Sequence, residues 1–139
     1  MDLRNLAATM SGRLIPLGYR VVDESLDGPM GSGRVRLTNG RCDVDLHSDR
    51  GDLSITLGRH GEQSWGISVW ADVLGIVLDE RTDVSSEIAF VGAHLRQVEQ
   101  LLDEDPKLET QLREINWRRV KEYLGLNPNM PPPGRASDD

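Results

Sequence analysis

A chain of 139 residues with one cysteine, three Trp, two Tyr and one Phe has few of the usual anchors, and each shortage excludes something. A lone cysteine cannot close an intrachain disulfide. Cys42 falls on a predicted inward strand face and reads as a small buried hydrophobe of a reducing compartment. The longest strongly apolar run, Val73 to Leu78, is too short to cross a bilayer. The first turn carries Asp2 and Arg4 where a secretory leader needs apolar residues. The expectation is a cytoplasmic protein with no membrane contact. Positive charge is short too. The formal net charge is −7, and the acidic excess lies in residues 61–139, which hold eight basic and fifteen acidic side chains. Such a chain is poorly suited to neutralising phosphates, so no nucleic acid is expected as a partner, and a basic protein fits better.

Catalytic signatures are missing as well. None of His47, His60 and His94 has a second histidine at ligand spacing, and no Ser or Cys has an evident base beside it. The run Gly28-Pro29-Met30-Gly31-Ser32-Gly33 lacks the Lys-Ser/Thr of a phosphate loop and leads into a strand. No cofactor is expected, and binding is favoured over catalysis.

What is present is alternation. From Arg34 to Leu57 apolar and charged residues alternate through two turns, a β-meander by pattern. Asn39-Gly40 is the preferred pair for a type I′ hairpin. Centring the turn there sets Arg36 opposite Asp43 and Arg34 opposite Asp45, with Leu37 opposite Cys42 and Val35 opposite Val44. A four-residue loop at Ser48-Asp49-Arg50-Gly51 then sets His47 opposite Asp52, Leu46 opposite Leu53 and Val44 opposite Ile55. One face is apolar and the other carries cross-strand ion pairs.

Around this block the chain predicts an α+β domain over residues 1–126. Leu3, Leu6, Met10 and Leu14 mark an N-terminal helix ended by Pro16 and Gly18. Tyr19 to Leu26 reads as a strand, and Trp65, Ile67 and Val69 as another, giving about five antiparallel strands. Trp70, Val73, Leu74, Val77 and Leu78 share a helical face. Asp83 or Ser85 caps a helix to about Glu104, and Asp105-Pro106 opens a last helix with Leu108, Leu112, Ile115, Val120, Tyr123 and Leu124. Two to three C-terminal helices are thus expected on one sheet face. Residues 127–139 form a proline-rich tail expected to be disordered.

Three groups are candidate binding residues. Asp43, Asp45, His47 and Asp52, with Arg34 and Arg36 across from them, form a charged strand face. Carboxylates and imidazole are ligands for divalent cations, so a metal-assisted hydrolase or nuclease is an alternative. The predicted arginine partners argue for a solvated face instead, and no metal site is assigned. Asp103, Glu104 and Asp105 make the densest acidic patch, at the turn between the last two helices. Trp117 lies among Arg113, Arg118, Arg119 and Lys121, as an interface anchor or as a ring at the core margin; those arginines also raise the reading of a DNA-binding regulator.

The layout of a short acidic chain with an N-terminal helix, a meander closing in DRGDLSITLG (residues 49–58), a Trp-containing strand and C-terminal helices resembles small bacterial immunity proteins of polymorphic toxin systems. It is also similar to orphan proteins of actinobacteria and their phages, and fourteen arginines against two lysines suit a GC-rich genome. The resemblance implies a non-enzymatic module that occludes or sequesters a partner protein, a toxin for instance. Type III secretion chaperones also flank an antiparallel sheet with helices, which makes a chaperone-like adaptor a further alternative.

Overall fold

The computed structural model describes residues 1–26, 28–78 and 83–132. The elements run α1 (Leu3–Leu14), β1 (Arg20–Ser25), β2 (Gly33–Thr38), β3 (Cys42–Asp49), β4 (Asp52–Arg59), β5 (Ser64–Gly66), α2 (Ile67–Leu74), α3 (Val84–Glu104) and α4 (Leu108–Leu124). The five strands form one antiparallel sheet in sequence order. This is the expected α+β layout. Local chemistry explains the helix starts: Asp2 accepts the Asn5 N–H and Asp83 the Ser86 N–H, each satisfying a backbone donor that the first turn leaves unpaired.

Both hairpins differ from the expected register by two residues. Thr38 faces Asp43, Leu37 faces Val44, Arg36 faces Asp45 and Arg34 faces His47. Asn39 takes no positive φ, and only Gly40 does. The Asn39 side chain instead closes the loop, its Oδ1 accepting the N–H groups of Arg41 and Cys42 at 2.8 and 2.7 Å. That is an Asx-type turn, and it competes successfully with the type I′ geometry. In the second hairpin Asp49 faces Asp52, His47 faces Ser54, Leu46 faces Ile55 and Val44 faces Leu57. Here the loop is two residues, and Arg50 (φ 53°) and Gly51 (φ 85°) carry the paired positive φ that marks type I′. The preferred hairpin turn therefore sits at Arg50-Gly51 rather than Asn39-Gly40.

A shift of two leaves every side chain on its expected face. Val35, Leu37, Val44, Leu46, Ile55 and Leu57 point into the core, none more than 1% exposed. They meet Leu6, Met10 and Leu14 of α1 and Val91, Leu95 and Val98 of α3 in one cluster. The strand expected through Val69 is cut to three residues, because α2 starts at Ile67. Its Trp70 is fully buried and donates its indole N–H to the Leu57 carbonyl at 2.9 Å. Gly75, at φ 71°, ends α2 one residue past Leu74, so Val77 leaves the expected helical face and is 95% exposed. At the far corner Asp105 terminates α3, its Oδ1 accepting the Lys107 N–H, and α4 starts two residues later than expected. Leu108, Leu112 and Ile115 of α4 are buried, whereas Tyr123 and Leu124, expected on its stripe, are exposed.

Candidate protein-binding surface

The outer sheet face is built by the residues that alternate with the core, and the register decides which of them meet. Arg36 clasps Asp45 across β2 and β3, with Nε 2.7 Å from Oδ1 and Nη2 3.1 Å from Oδ2. Ser64 of β5 donates its hydroxyl to the same Oδ2 at 2.9 Å. It reaches over Gly58, where any Cβ would strike Gln63 O at 2.5 Å. Asp43, expected opposite Arg36, faces Thr38 instead and keeps Arg36 only at 3.9 Å. Its carboxylate is held from the next turn, by His60 Nδ1–H at 2.8 Å and the Gly61 N–H at 3.2 Å. Asp43 and Asp45 are buried beneath this single layer of side chains, at 0% and 2% exposure. Burial by itself raises the Asp43 carboxyl, but hydrogen bonds from Thr38, His60 and Gly61 outweigh it and hold the pKa below the usual carboxylate value.

The remaining residues of this face spread apart. Arg34 turns to β1 and pairs with Asp23 at 2.5 Å, not with Asp45. His47 meets Thr56, Nε2 to Oγ1 at 3.0 Å, not Asp52. Desolvation, aided by the charges of Arg34 and Arg36 and opposed by Asp45, lowers its pKa. Asp52 stands exposed across from Asp49 at the hairpin tip. The carboxylates and imidazole that sequence grouping brought together therefore do not converge. Among the described residues no group of three or more His, Cys, Asp or Glu side chains is placed to hold a metal ion.

His60 was legible in the sequence only as a turn residue. Its pairing with Asp43 fixes the proton on Nδ1, the arrangement that prepares an imidazole to act as a base through Nε2. No hydroxyl or thiol among the described residues hydrogen bonds to that Nε2. The Ser64 hydroxyl is spent on Asp45. His60 is thus an exposed histidine oriented by Asp43.

The acidic patch divides in the same way. Asp103 pairs with Arg41 and so ties α3 to the β2–β3 loop. Among the described residues Glu104 meets only the Gln100 amide, at 3.4 Å, and Asp105 is engaged at the helix end. A second interior network, with no signature in the sequence, lies beside Asp103: the Tyr19 hydroxyl and the Asn39 amide both donate to Glu99 Oε2, at 2.9 and 2.8 Å. Burial and the neighbouring Cys42 push the Tyr19 pKa up, and burial pushes the Cys42 thiol up to about 12. On α4, Arg113 pairs with Glu109 and Arg119 with Asp72. Trp117 is half-buried and donates its indole N–H to the Met130 carbonyl at 2.8 Å, while Lys121 Nζ lies 5.9 Å from its ring centroid. Residues 127–132 of the tail thus run back along α4, and residues 133–139 lie outside the described residues. Among the described residues no helix is long and apolar enough to cross a membrane. Comparison of the chain with family models, with curated proteins and with solved structures finds no match.

Proposed function

We propose that this protein is a non-enzymatic binding module that occludes or sequesters a partner protein through the outer face of its sheet, in the manner of an immunity or inhibitor protein. The observation that carries the reading is the commitment of Asp43 and Asp45. All four of their carboxylate oxygens are engaged by Arg36, Ser64, His60 and the Gly61 N–H. Carboxylates committed to donors within the fold in this way are suited to supporting the face rather than to metal or proton chemistry. They do hold Arg36 and His60 in single conformations, so a partner docking on the face avoids much of the side-chain ordering entropy that association costs. Beside them the face is open to solvent at Arg34, Ser54 and His60, which leaves polar contacts on a rigid support.

The test is capture from the native host with the intact chain and with Ser54→Arg, which puts a bulky cation opposite His47 on this face. A stoichiometric partner, counted by native mass spectrometry and lost with Ser54→Arg, is expected. Absence of any stoichiometric protein partner would overturn the reading. A metal-assisted hydrolase predicts instead tight Mn²⁺ or Zn²⁺ binding that Asp45→Ala removes.

A further inference from the structure

We propose that β1 is a docking edge that takes up an extended segment of a partner protein as a further antiparallel strand of the sheet, with one side chain of that segment seated in the trough between β1 and α1. The proposal rests on the protein-binding reading and adds to it a second surface and the conformation of the bound segment.

The five strands, paired in sequence order, leave two edges, β1 and β5. β5 is three residues long and runs directly into α2, and an edge that short offers little to pair with. β1 is six residues long and every one of them is exposed. Among the described residues its backbone hydrogen bonds to no element other than β2. A row of free N–H and C=O groups at strand spacing is matched by one partner chemistry, another extended backbone.

The trough is an independent observation. Val21 faces Leu37 and Glu24 faces Val35, which puts both on the apolar side of the sheet, yet Val21 is 42% exposed. The cause lies on α1, whose Ala7, Ala8 and Ser11 are too short to cover it and leave a trough of about 310 Å³. Ala8 and Val21 are exposed, and Ala7, Ser11 and Leu26 are half-buried, so the walls are open to an incoming group. A strand added beside β1 turns every second side chain to this side of the sheet. The one opposite Val21 falls in the trough.

The residues of β1 select between occupants. Antiparallel pairing with a second copy over the whole strand sets Arg20 opposite Ser25, Val21 opposite Glu24 and Val22 opposite Asp23. Each valine then meets a carboxylate, so a second copy fits poorly. A partner segment fits when it sets apolar residues opposite Val21 and Val22 and a basic one opposite Glu24, whose side chain makes no hydrogen bond or ion pair among the described residues. The bulge at Val22 and the carboxylates of β1 keep the edge from pairing indiscriminately. Asp23 is drawn onto the outer face by Arg34, at 2.5 Å, and leaves the edge clear.

The experiment is selection of displayed random 12-residue peptides on the intact protein, followed by affinity measurement on purified variants. Binders are expected to carry adjacent apolar residues with a Lys or Arg nearby, and to slow amide hydrogen exchange across residues 20–25. N-methylation of one set of alternate peptide residues should cut affinity at least tenfold and of the other set change it little, the signature of a bound strand. Ala8→Arg, which fills the trough from an exposed helix position, should also cut affinity at least tenfold, and Ser54→Arg should leave it unchanged. Circular dichroism and urea midpoints confirm that each variant is folded. Insensitivity to N-methylation, unchanged affinity on Ala8→Arg, no slowing of exchange across residues 20–25, or no selectable peptide at all would overturn the proposal. A host partner captured by Ala8→Arg as well as by the parent, and lost with Ser54→Arg, would overturn it while leaving the sheet-face reading standing. A dimer in sedimentation that Ala8→Arg dissociates would make a second copy the occupant and overturn the assignment to a partner protein.

Discussion

Arg36 and Asp45 face each other across β2 and β3 and share two hydrogen bonds, at 2.7 and 3.1 Å. Asp45 is almost fully buried and the Arg36 side chain is 28% exposed. Removing one partner of a buried pair leaves the other desolvated and uncompensated, which costs about 3–5 kcal/mol in an interior. Partial exposure of the arginine scales that down, so Asp45→Ala should lower stability by about 2–3 kcal/mol. Urea unfolding measures it. Asp43→Ala removes a different set of bonds, to His60 and Gly61, and its effect in the double variant with His60→Ala should be much less than additive.

Acid should weaken the fold in two steps. His47 has a lowered folded pKa, so the unfolded chain takes up its proton first, and stability falls as pH drops below about 6.5. Asp43 also has a lowered folded pKa, so its contribution is complete above the unfolded value of about 3.9 and is lost as pH falls through the folded one. Glu87, raised by burial, works with the opposite sign: its ionisation opposes folding as pH rises from about 4.3. Urea midpoints between pH 7 and pH 3 should show the upper step vanish in His47→Gln and the lower one shrink in Asp43→Asn.

The β3–β4 turn holds a stability reserve. Arg50 adopts φ 53°, a left-handed conformation that costs an ordinary side chain about 1–2 kcal/mol and that asparagine tolerates better. Arg50→Asn should raise stability by about 0.5–1 kcal/mol, and Gly51→Ala, at φ 85°, should lower it by about 1–2 kcal/mol. Thermal unfolding of the two variants provides the comparison.

Cys42 is 1% exposed, with its thiol pKa pushed up to about 12. At neutral pH a buried thiol of that kind reacts only when the protein opens. Modification by an aromatic disulfide reagent should therefore be slow in buffer and accelerate with urea in step with unfolding. Fast labelling in buffer would mean that the corner around Tyr19, Asn39 and Glu99 opens locally.

Glycine at position 92 should carry a measurable cost. Gly92→Ala puts a methyl in ordinary contact with Arg13 Nη1, at 3.6 Å, and should raise stability by about 0.5–1 kcal/mol, read as a higher urea midpoint.

Much of this architecture was readable from the residues alone, for a definite reason. Side chains alternate with period two along a strand, so the apolar set Val35, Leu37, Val44, Leu46, Ile55 and Leu57 determined the buried face under any even register. Helix caps are local, and of the two candidates Asp83 and Ser85 it is Asp83 that starts α3. The pairing itself was not readable, because the pattern is degenerate under a shift of two. Arg34 and Arg36 are alike, Asp43 and Asp45 are alike, and either register sets charges across from one another with apolar residues facing apolar ones. Only the closed turns, with the Asn39 side chain folding one loop and Arg50-Gly51 the other, decided that Asp45 would meet Arg36 and Asp43 would meet His60. The sequence by itself determined faces and elements, which depend on local periodicity. The tertiary structure alone decided partners, which depend on where the chain turns.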